Sequence, residues 1–217
     1  MSHIPPASRK SFQGSQVPDS ATDTEANPSR QRILDCAARL FRQKGYGGTS
    51  LRDIAAESGM KAGSLYYHFA SKDEIVIEVL NTGVARVNDA VQAAVAKLPA
   101  DAPVGDVIDV SIHEHLRALH EMGDYTSANV RIFGQVPGAV QDAHKPTRRT
   151  YEEYWENLLT KAAKAGELQP GSDPHLLLAL LISSLNATLE WFDPAKGPVD
   201  KVATAFSALV RQGIVAR

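Results

Sequence analysis

The stretch of sequence that decides the fold is TSLRDIAAESGMKAGSLYYHFASKDE, residues 49–74. Ser50 and Asp53 have the spacing of a capping box, which predicts the start of a short second helix. Gly59 follows, and glycine tolerates the left-handed backbone of a sharp turn. A third helix is predicted over about residues 61–69, and a second capping box at residues 71–74 starts a fourth. This pattern predicts a helix-turn-helix unit.

The helix on which this unit would pack lies immediately upstream. Apolar side chains recur at helical spacing over residues 33–41, with Ser29 as a candidate N-cap and Gly45 as a stop. Cys36 lies on the apolar stripe, which indicates a small buried hydrophobe rather than a reactive thiol. In such a unit the second helix of the pair can enter the major groove of DNA.

The charge is distributed unevenly along the chain. Residues 29–72 contain eight Lys or Arg and three Asp or Glu, which gives a net charge of +5. Because the whole chain carries −2, the remaining residues carry −7. A compact basic module joined to an acidic remainder favours local binding of a polyanion such as double-stranded DNA.

Side chains suited to DNA contact gather around the predicted third helix. Donors in its first turn can reach base edges, and small residues there let the backbone approach closely. Aromatic side chains with polar tips follow, and the N-termini of the second and fourth helices favour phosphate groups. The predicted DNA-contacting residues are Thr49, Ser50, Lys61, Ala62, Gly63, Ser64, Tyr66, Tyr67, His68 and Lys72.

Residues 49–60 (TSLRDIAAESGM) and 63–74 (GSLYYHFASKDE) resemble the signature of the TetR family of bacterial repressors. Residues 33–41, with the Lys-Gly-Tyr at 44–46, resemble that family's first helix. Lys61 departs from the pattern, since the family often has a small N-cap there. The resemblance implies that the third helix reads the major groove and that Tyr66, His68 and Lys72 contact phosphates. It also implies a dimer on a palindromic operator that a small ligand in the C-terminal domain releases.

The chain divides into three segments. Residues 1–28 are rich in Pro, Ser and Thr and predict a flexible tail. Residues 29–82 form the predicted DNA-binding domain, and residues 83–217 the predicted helical ligand-binding and dimerisation domain. No segment shows sustained two-residue alternation, so we expect no sheet and an all-α fold.

Two helices of the C-terminal domain are candidates for a dimer seam. The helix from Asp173 to Phe192 is apolar on nearly every side and needs cover from several directions. The helix before it offers aromatic and leucine side chains, and in the TetR family two such helices form an intersubunit four-helix bundle. The predicted interface residues are Tyr151, Tyr154, Leu158, Leu177, Leu181 and Leu185.

The ligand pocket leaves a weaker trace in the sequence. A mostly apolar cavity with a few polar groups would suit a lipid-like or acyl effector. Residues 185–194 weakly resemble regulators of fatty-acid or sterol catabolism that sense acyl-coenzyme A compounds. The predicted lining residues are His113, Leu116, His120, Tyr125, Arg131, Phe133, Trp155, Asn186 and Trp191.

Composition favours a soluble globular protein, with 43% hydrophobic and 22% charged residues. The longest aliphatic run, residues 176–182, is too short to span a bilayer, so no membrane association is expected. The N-terminus lacks the apolar region of a secretory signal, and a single cysteine suits a reducing cytoplasm. These features predict a cytoplasmic location.

Two other classes of function were weighed. A metal- or ion-sensing regulator of the same fold would use His113, His115 and His120, although none of their spacings is the i, i+4 pair that chelates easily. An enzyme would need a reactive motif, and the sequence has no Gly-rich phosphate loop, nucleophile elbow or zinc-protease motif. We therefore predict no catalytic activity, no cofactor and no metal site.

Overall fold

The computed structural model describes residues 28–121 and 123–213, which form α-helices and connecting turns with no strand longer than one residue. The helices are α1 (Pro28–Lys44), α2 (Leu51–Glu57), α3 (Ala62–Leu65), α4 (Lys72–Val95), α5 (Val104–Glu121), α6 (Asp124–Ile132), α7 (Gly138–Lys164), α8 (Pro174–Trp191) and α9 (Val199–Gly213). The predicted all-α class is confirmed. The predicted tail lies outside the described residues, except for Pro28.

Both predicted capping sites begin helices. At α2 the Ser50 hydroxyl accepts from the Asp53 N–H at 3.2 Å, and the Asp53 carboxylate accepts from the Ser50 N–H at 2.8 Å. At α4 the Ser71 hydroxyl accepts from the Glu74 N–H at 3.1 Å. The Glu74 carboxylate reaches one residue further back than in a capping box and accepts from the Ala70 N–H. Each helix start therefore satisfies donors that would otherwise lack partners.

The third helix is shorter than predicted. It ends at Leu65, and the Tyr67 and His68 N–H groups donate to carbonyls only three residues back. Such bonds tighten the last turn of a helix. The tightened turn carries Phe69 into the core, where it is buried beside Leu65.

Helix α4 is longer than predicted, because it runs without a break from Lys72 to Val95. The predicted division of the chain between residues 82 and 83 falls inside this helix. Helix α7 begins at Gly138 and includes Pro146. The last helix begins at Val199.

The buried side chains form two apolar cores. One core joins α1, α2 and α3, here called the head, to the first part of α4 and to α6. Tyr125, Ala128 and Ile132 of α6 belong to this core, although they follow the head by about sixty residues. The other core joins the later part of α4 to α5, α7, α8 and α9. Helix α6 is therefore packed with the head more than with the C-terminal bundle.

Helices α4 and α6 approach each other closely at Gly83. A Cβ atom at this position would lie 2.5 Å from the Tyr125 carbonyl oxygen, which is closer than non-bonded atoms tolerate. Only glycine lets the two backbones meet here. The crossing fixes how α4 leaves the head and enters the C-terminal bundle.

We predict that Gly83→Ala destabilises the protein although alanine favours helix. The gain in helix propensity is about 1 kcal/mol, whereas forcing a methyl group into a packed contact costs roughly 1–3 kcal/mol. The matched control is Gly63→Ala on α3, where a Cβ would meet no protein atom within 4 Å. Urea unfolding should show a loss for the first variant and no loss for the second. Equal stability of the two variants would contradict the close approach.

Candidate nucleic-acid interface and effector cavity

Helix α3 and the turn after it present a face that the other described residues leave uncovered. Lys61, Ala62, Gly63 and Ser64 are exposed, and Lys61 makes no capping hydrogen bond through its side chain. Tyr66 is 58% exposed and Tyr67 is 91% exposed, which is unusual for large aromatic side chains. His68 is half-buried. A short helix carrying a cation, small residues and aromatic groups with polar tips matches the chemistry of a surface that contacts DNA.

The α3 face is held from below by apolar and ionic contacts. Leu65 and Phe69 are buried in the head core. The Arg30 guanidinium lies 4.5 Å from the centre of the Phe69 ring and forms an ion pair with Glu78 of α4. The α3 face therefore rests on α1 and α4, which fixes its orientation.

Two predicted phosphate contacts are engaged within the chain. Thr49 is 2% exposed, and its hydroxyl donates to the Gly45 carbonyl at 2.9 Å. This turn bond buries the Thr49 side chain and leaves no surface for a phosphate. Ser50 is exposed, but its hydroxyl donates to Asp53 at 2.6 Å and accepts from the Asp53 N–H.

Lys72 acts as a tie between α4 and the loop before α2. Its ammonium group donates to the carbonyls of Tyr46 at 3.0 Å and Thr49 at 3.1 Å. It also lies 3.8 Å from the centre of the Tyr46 ring, within the range of a cation–π contact. The Tyr46 hydroxyl donates to Asp73, and burial together with this contact raises the pKa of Tyr46 to about 12. Two of the three Lys72 donors are used internally, so its predicted phosphate contact rests on the third.

A cavity of about 210 Å³ lies among the helices that follow the head. Five helices and the turn after α6 contribute to its wall, which mixes apolar and polar side chains. The lining residues are Gly83, Val84, Val87, His115, Leu119, Thr126, Asn129, Val130, Phe133, Arg148, Tyr151, Glu152, Ile182 and Asn186.

The polar side chains of the cavity wall form ordered contacts. The His115 ring nitrogens lie 2.8 Å from the Tyr151 hydroxyl and 3.3 Å from the Asn186 amide oxygen. Burial lowers the pKa of His115 to about 4, so its ring is neutral near pH 7. Arg148 donates to Glu152 at 3.1 Å and lies over the Phe133 ring, with 39% of its side chain exposed. The wall therefore has a buried neutral cluster and a partly solvated cation.

Helix α6 connects the cavity with the head. Thr126, Asn129 and Val130 line the cavity, whereas Tyr125 on another side of the helix donates to Asp35 of α1 at 2.7 Å. Asp124 at the start of α6 pairs with Arg42 of α1 at 2.6 Å. A displacement of α6 by a molecule in the cavity would therefore act directly on α1.

A second buried histidine joins three helices beside the cavity. His144 of α7 contacts the Asn81 amide oxygen at 2.7 Å and the Asn129 amide nitrogen at 3.0 Å. Burial, with a smaller effect from Arg148, lowers the pKa of His144 to about 4. The neutral ring can therefore donate to Asn81 and accept from Asn129, which satisfies both nitrogens.

Family models match both parts of the chain. Residues 33–79 match the model for bacterial regulatory proteins of the tetR family. Residues 101–214, more than half of the chain, match the model for the tetracyclin repressor-like C-terminal domain. The chain belongs to the TetR family. Its head is the family's N-terminal helix-turn-helix region, followed by a helical C-terminal domain.

Individual relatives of this TetR family member cover most of its length. The repressor KstR2 of Mycobacterium tuberculosis H37Rv is 28% identical over 198 residues, which are 88% of this chain and 94% of the relative. The crystal structure of the regulator PfmR from Thermus thermophilus has a TM-score of 0.73 at 27% identity, over 85% of this chain and 96% of that one. The crystal structure of AibR with isovaleryl coenzyme A and operator DNA has a TM-score of 0.74 over 83% of this chain and 97% of that one. At 20% identity, that likeness concerns the fold.

Of the nine lining residues predicted from the sequence, the structure places Phe133 and Asn186 in the cavity wall. Tyr125 faces α1, Leu116 and Trp155 are buried in the second core, and His120 contacts Thr188 at 2.8 Å. The remaining three, His113, Arg131 and Trp191, do not line the cavity, and Trp191 is 60% exposed. Helical spacing places a residue on a face of its helix, but it does not say which faces surround a space.

The sequence interpretation missed several residues that do line the cavity. From the sequence, His115 is only a candidate metal ligand and Tyr151 a candidate dimer residue, and Thr126, Asn129 and Arg148 belong to no predicted site. The sequence signal that Thr126 and Asn129 carry is polarity at a spacing of three on one face of α6.

The predicted dimer residues also divide. Tyr151, Leu181 and Leu185 are buried within the protomer, so their side chains are covered by their own chain and have little surface for a partner. Tyr154, Leu158 and Leu177 are half-buried. The apolar side chains that stay exposed are Leu176, Leu180 and Trp191 of α8 and Leu209 of α9, here called the α8/α9 apolar face.

The described residues contain neither a metal-binding cluster nor a membrane-spanning helix. Within residues 28–121 and 123–213, no three His, Cys, Asp or Glu side chains lie where they could hold a metal ion together. In that same part of the chain, no helix has both the length and the apolar character to span a membrane.

We predict that two lysines near the α3 face, Lys61 and Lys72, have separable roles. Lys61→Ala removes an exposed cation that pairs with no other described residue, so DNA affinity should fall while the unfolding midpoint stays constant. The slope of log affinity against log salt should decrease by about one. Lys72→Met removes two hydrogen bonds from a charged donor, so the free energy of unfolding should fall by roughly 1–3 kcal/mol.

Fluorescence anisotropy with labelled duplex DNA at several salt concentrations measures the first effect, and thermal unfolding measures the second. A Lys72→Met protein as stable as the Lys61→Ala protein would show that the hydrogen bonds from Lys72 to Tyr46 and Thr49 contribute nothing to the free energy of unfolding.

Proposed function

We propose that this protein is a transcriptional repressor that binds palindromic operator DNA as a homodimer and releases it when a small acyl effector occupies the cavity. The observation that carries the proposal is the exposed α3 face, held on a buried core within a basic segment. An uncovered face with two large exposed tyrosines is costly to display unless a partner covers it. Because operator DNA lies in the bacterial cytoplasm, we place the protein there.

Specific DNA binding needs two copies of the α3 face, which supports a dimer. One short helix contacts only a few base pairs, so useful specificity requires two half-sites about one helical turn apart. The α8/α9 apolar face offers the surface for a second copy. Leu176, Leu180 and Trp191 are spaced so that they share one side of α8, and Leu209 adds an exposed apolar group on α9.

The cavity and the relatives support an acyl effector. The relative AibR binds isovaleryl coenzyme A, and the relative KstR2 carries the description of a ketosteroid regulator. Isovaleryl coenzyme A and a ketosteroid each combine an apolar body with a carbonyl group. The cavity wall here includes apolar side chains and the partly exposed Arg148, a cation that can meet the phosphates of coenzyme A.

Release follows from the position of α6. An effector that pushes on Thr126, Asn129 or Val130 moves a helix whose far side is bonded to α1 through Tyr125 and Asp124. The two α3 faces of the dimer then lose the spacing that matches successive major grooves. The effector must bind this second state more tightly, since otherwise it cannot shift the population.

We predict that Leu180→Glu separates the dimer, because it places a charge at the centre of the α8/α9 apolar face. Size-exclusion chromatography with light scattering should report a dimer for the unaltered chain and a monomer for the variant. The control is Asn157→Glu, which adds the same charge to an exposed position of α7. A dimer that survives Leu180→Glu but not Asn157→Glu would contradict the α8/α9 apolar face as the interface.

The proposed function is tested by anisotropy with duplexes from the region upstream of the protein's own gene, with and without hexanoyl-coenzyme A. We expect tight binding that weakens steeply with salt, and release when the compound is added. A protein that ignores every duplex at low salt is not the proposed repressor. A protein that binds DNA but not the acyl compound is a repressor with another effector.

We predict that Tyr125→Phe uncouples the cavity from the head. The variant keeps the ring but loses the hydroxyl bond to Asp35, so hexanoyl-coenzyme A should still bind while its effect on DNA affinity falls several-fold. Tyr154→Phe is the control, because the Tyr154 hydroxyl contacts Ser111 within the C-terminal bundle. Equal coupling in the two variants would contradict the proposed route through α6.

A further inference from the structure

Three polar side chains of the cavity wall form a chain of contacts across three helices, in which His115 and Tyr151 are buried and Asn186 is half-buried. Tyr151 of α7 contacts His115 of α5 at 2.8 Å, and His115 contacts Asn186 of α8 at 3.3 Å. His115 is 2% exposed and Tyr151 is 7% exposed. Such groups are costly to bury unless they are paired, so their arrangement has a definite hydrogen-bond order.

The direction of the hydrogen bonds follows from the chemistry of the groups. The Asn186 amide oxygen can only accept, so the His115 Nε2 facing it carries the proton. The other ring nitrogen of a neutral histidine then accepts, and the Tyr151 hydroxyl donates to it. The order runs from Tyr151 to His115 to Asn186.

This order leaves the amide nitrogen of Asn186 as an unused donor at the cavity wall. No hydrogen bond found among the described residues uses it. Other polar atoms of the wall are engaged, since the Thr126 hydroxyl donates to the Leu119 carbonyl at 2.9 Å and the Asn129 amide donates to the Leu80 carbonyl at 2.9 Å. Arg148 is paired with Glu152 and partly solvated.

We propose that the Asn186 amide nitrogen, oriented by His115 and Tyr151, donates to the carbonyl oxygen of the effector and makes that carbonyl a requirement for tight binding. This assignment rests on the proposed function, because it presumes that the cavity takes an acyl effector. Asn186 is then a specificity-determining residue, and His115 and Tyr151 are positioning residues that hold its amide plane.

The selectivity comes from the cost of an unpaired donor. In water the Asn186 N–H is solvated, and an effector that fills the cavity removes that water. A thioester oxygen restores the hydrogen bond, whereas a methylene group at the same place leaves the donor without a partner and shielded from water by the ligand. The difference appears as a preference between two ligands of nearly equal size.

The experiment compares hexanoyl-coenzyme A with its thioether analogue S-hexyl-coenzyme A, in which a methylene replaces the carbonyl. Both are titrated into the full-length chain by calorimetry. We expect the thioester to bind roughly tenfold more tightly than the thioether. Asn186→Asp keeps an oxygen that accepts from His115 but removes the N–H donors, so the preference should vanish. Asn186→Leu removes the amide altogether and should give the same result if the aspartate variant does not fold.

Further variants separate positioning from stability. Tyr151→Phe should reduce the preference, because His115 then loses the donor that fixes its ring. Tyr154→Phe removes a neighbouring hydroxyl that does not line the cavity, so the preference should stay intact. If the three side chains only cross-link their helices, the unfolding midpoint changes in the Asn186 and Tyr151 variants and the preference does not.

The outcomes distinguish this inference from the function on which it rests. If the unaltered chain binds both compounds equally, or the Asn186 variants keep the preference, the carbonyl contact is wrong while an acyl effector stands. If neither compound binds, the acyl effector is wrong and the carbonyl contact fails with it. DNA binding is measured separately and is unaffected by either result.

Discussion

The packing of α6 against α1 is the constraint on which the rest of the structure depends. Tyr125, Ala128 and Ile132 are buried in the same apolar core as the head, and Asp124 pairs with Arg42 across that junction. The core of the head is consequently incomplete without side chains that the C-terminal domain contributes through α6. The division between a DNA-binding domain and an effector-binding domain therefore differs from the division between the two apolar cores, because α6 belongs to the C-terminal domain in sequence but to the core of the head in packing.

The cavity lies where α6 faces the C-terminal bundle. Its wall contains two kinds of polar group, which differ in their exposure to solvent. In the neutral cluster, Tyr151 and His115 are buried and Asn186 is half-buried, whereas Arg148 with Glu152 reaches solvent. Burying a neutral hydrogen-bonded cluster costs far less than burying a charge. The arrangement therefore suits a molecule whose charged part stays near the surface while its uncharged part enters.

The head could be predicted from the sequence because its signals are local. The capping box at Ser50, the turn glycine at Gly59 and the buried pair Leu65 and Phe69 each depend on neighbours within a few residues. The all-α class followed from periodicity alone. The cavity could not be predicted, since it depends on which faces of five helices meet. Nothing in the sequence near His115 or near Tyr151 indicates that the two side chains are in contact. The burial of Thr49 depends on the hydrogen bond that its hydroxyl donates to the Gly45 carbonyl, which the sequence does not reveal.

The crossing at Gly83 bears on how faithfully motion passes through the molecule. Where side chains separate two helices, a small push is absorbed as rotamers change and atoms repack. At Gly83 the main chain of α4 touches the carbonyl of Tyr125 with nothing between them. The main chain has no rotamers to change, so this contact is stiff. A small displacement of α6 at Tyr125 is therefore passed to α4 with less loss than through a contact between side chains.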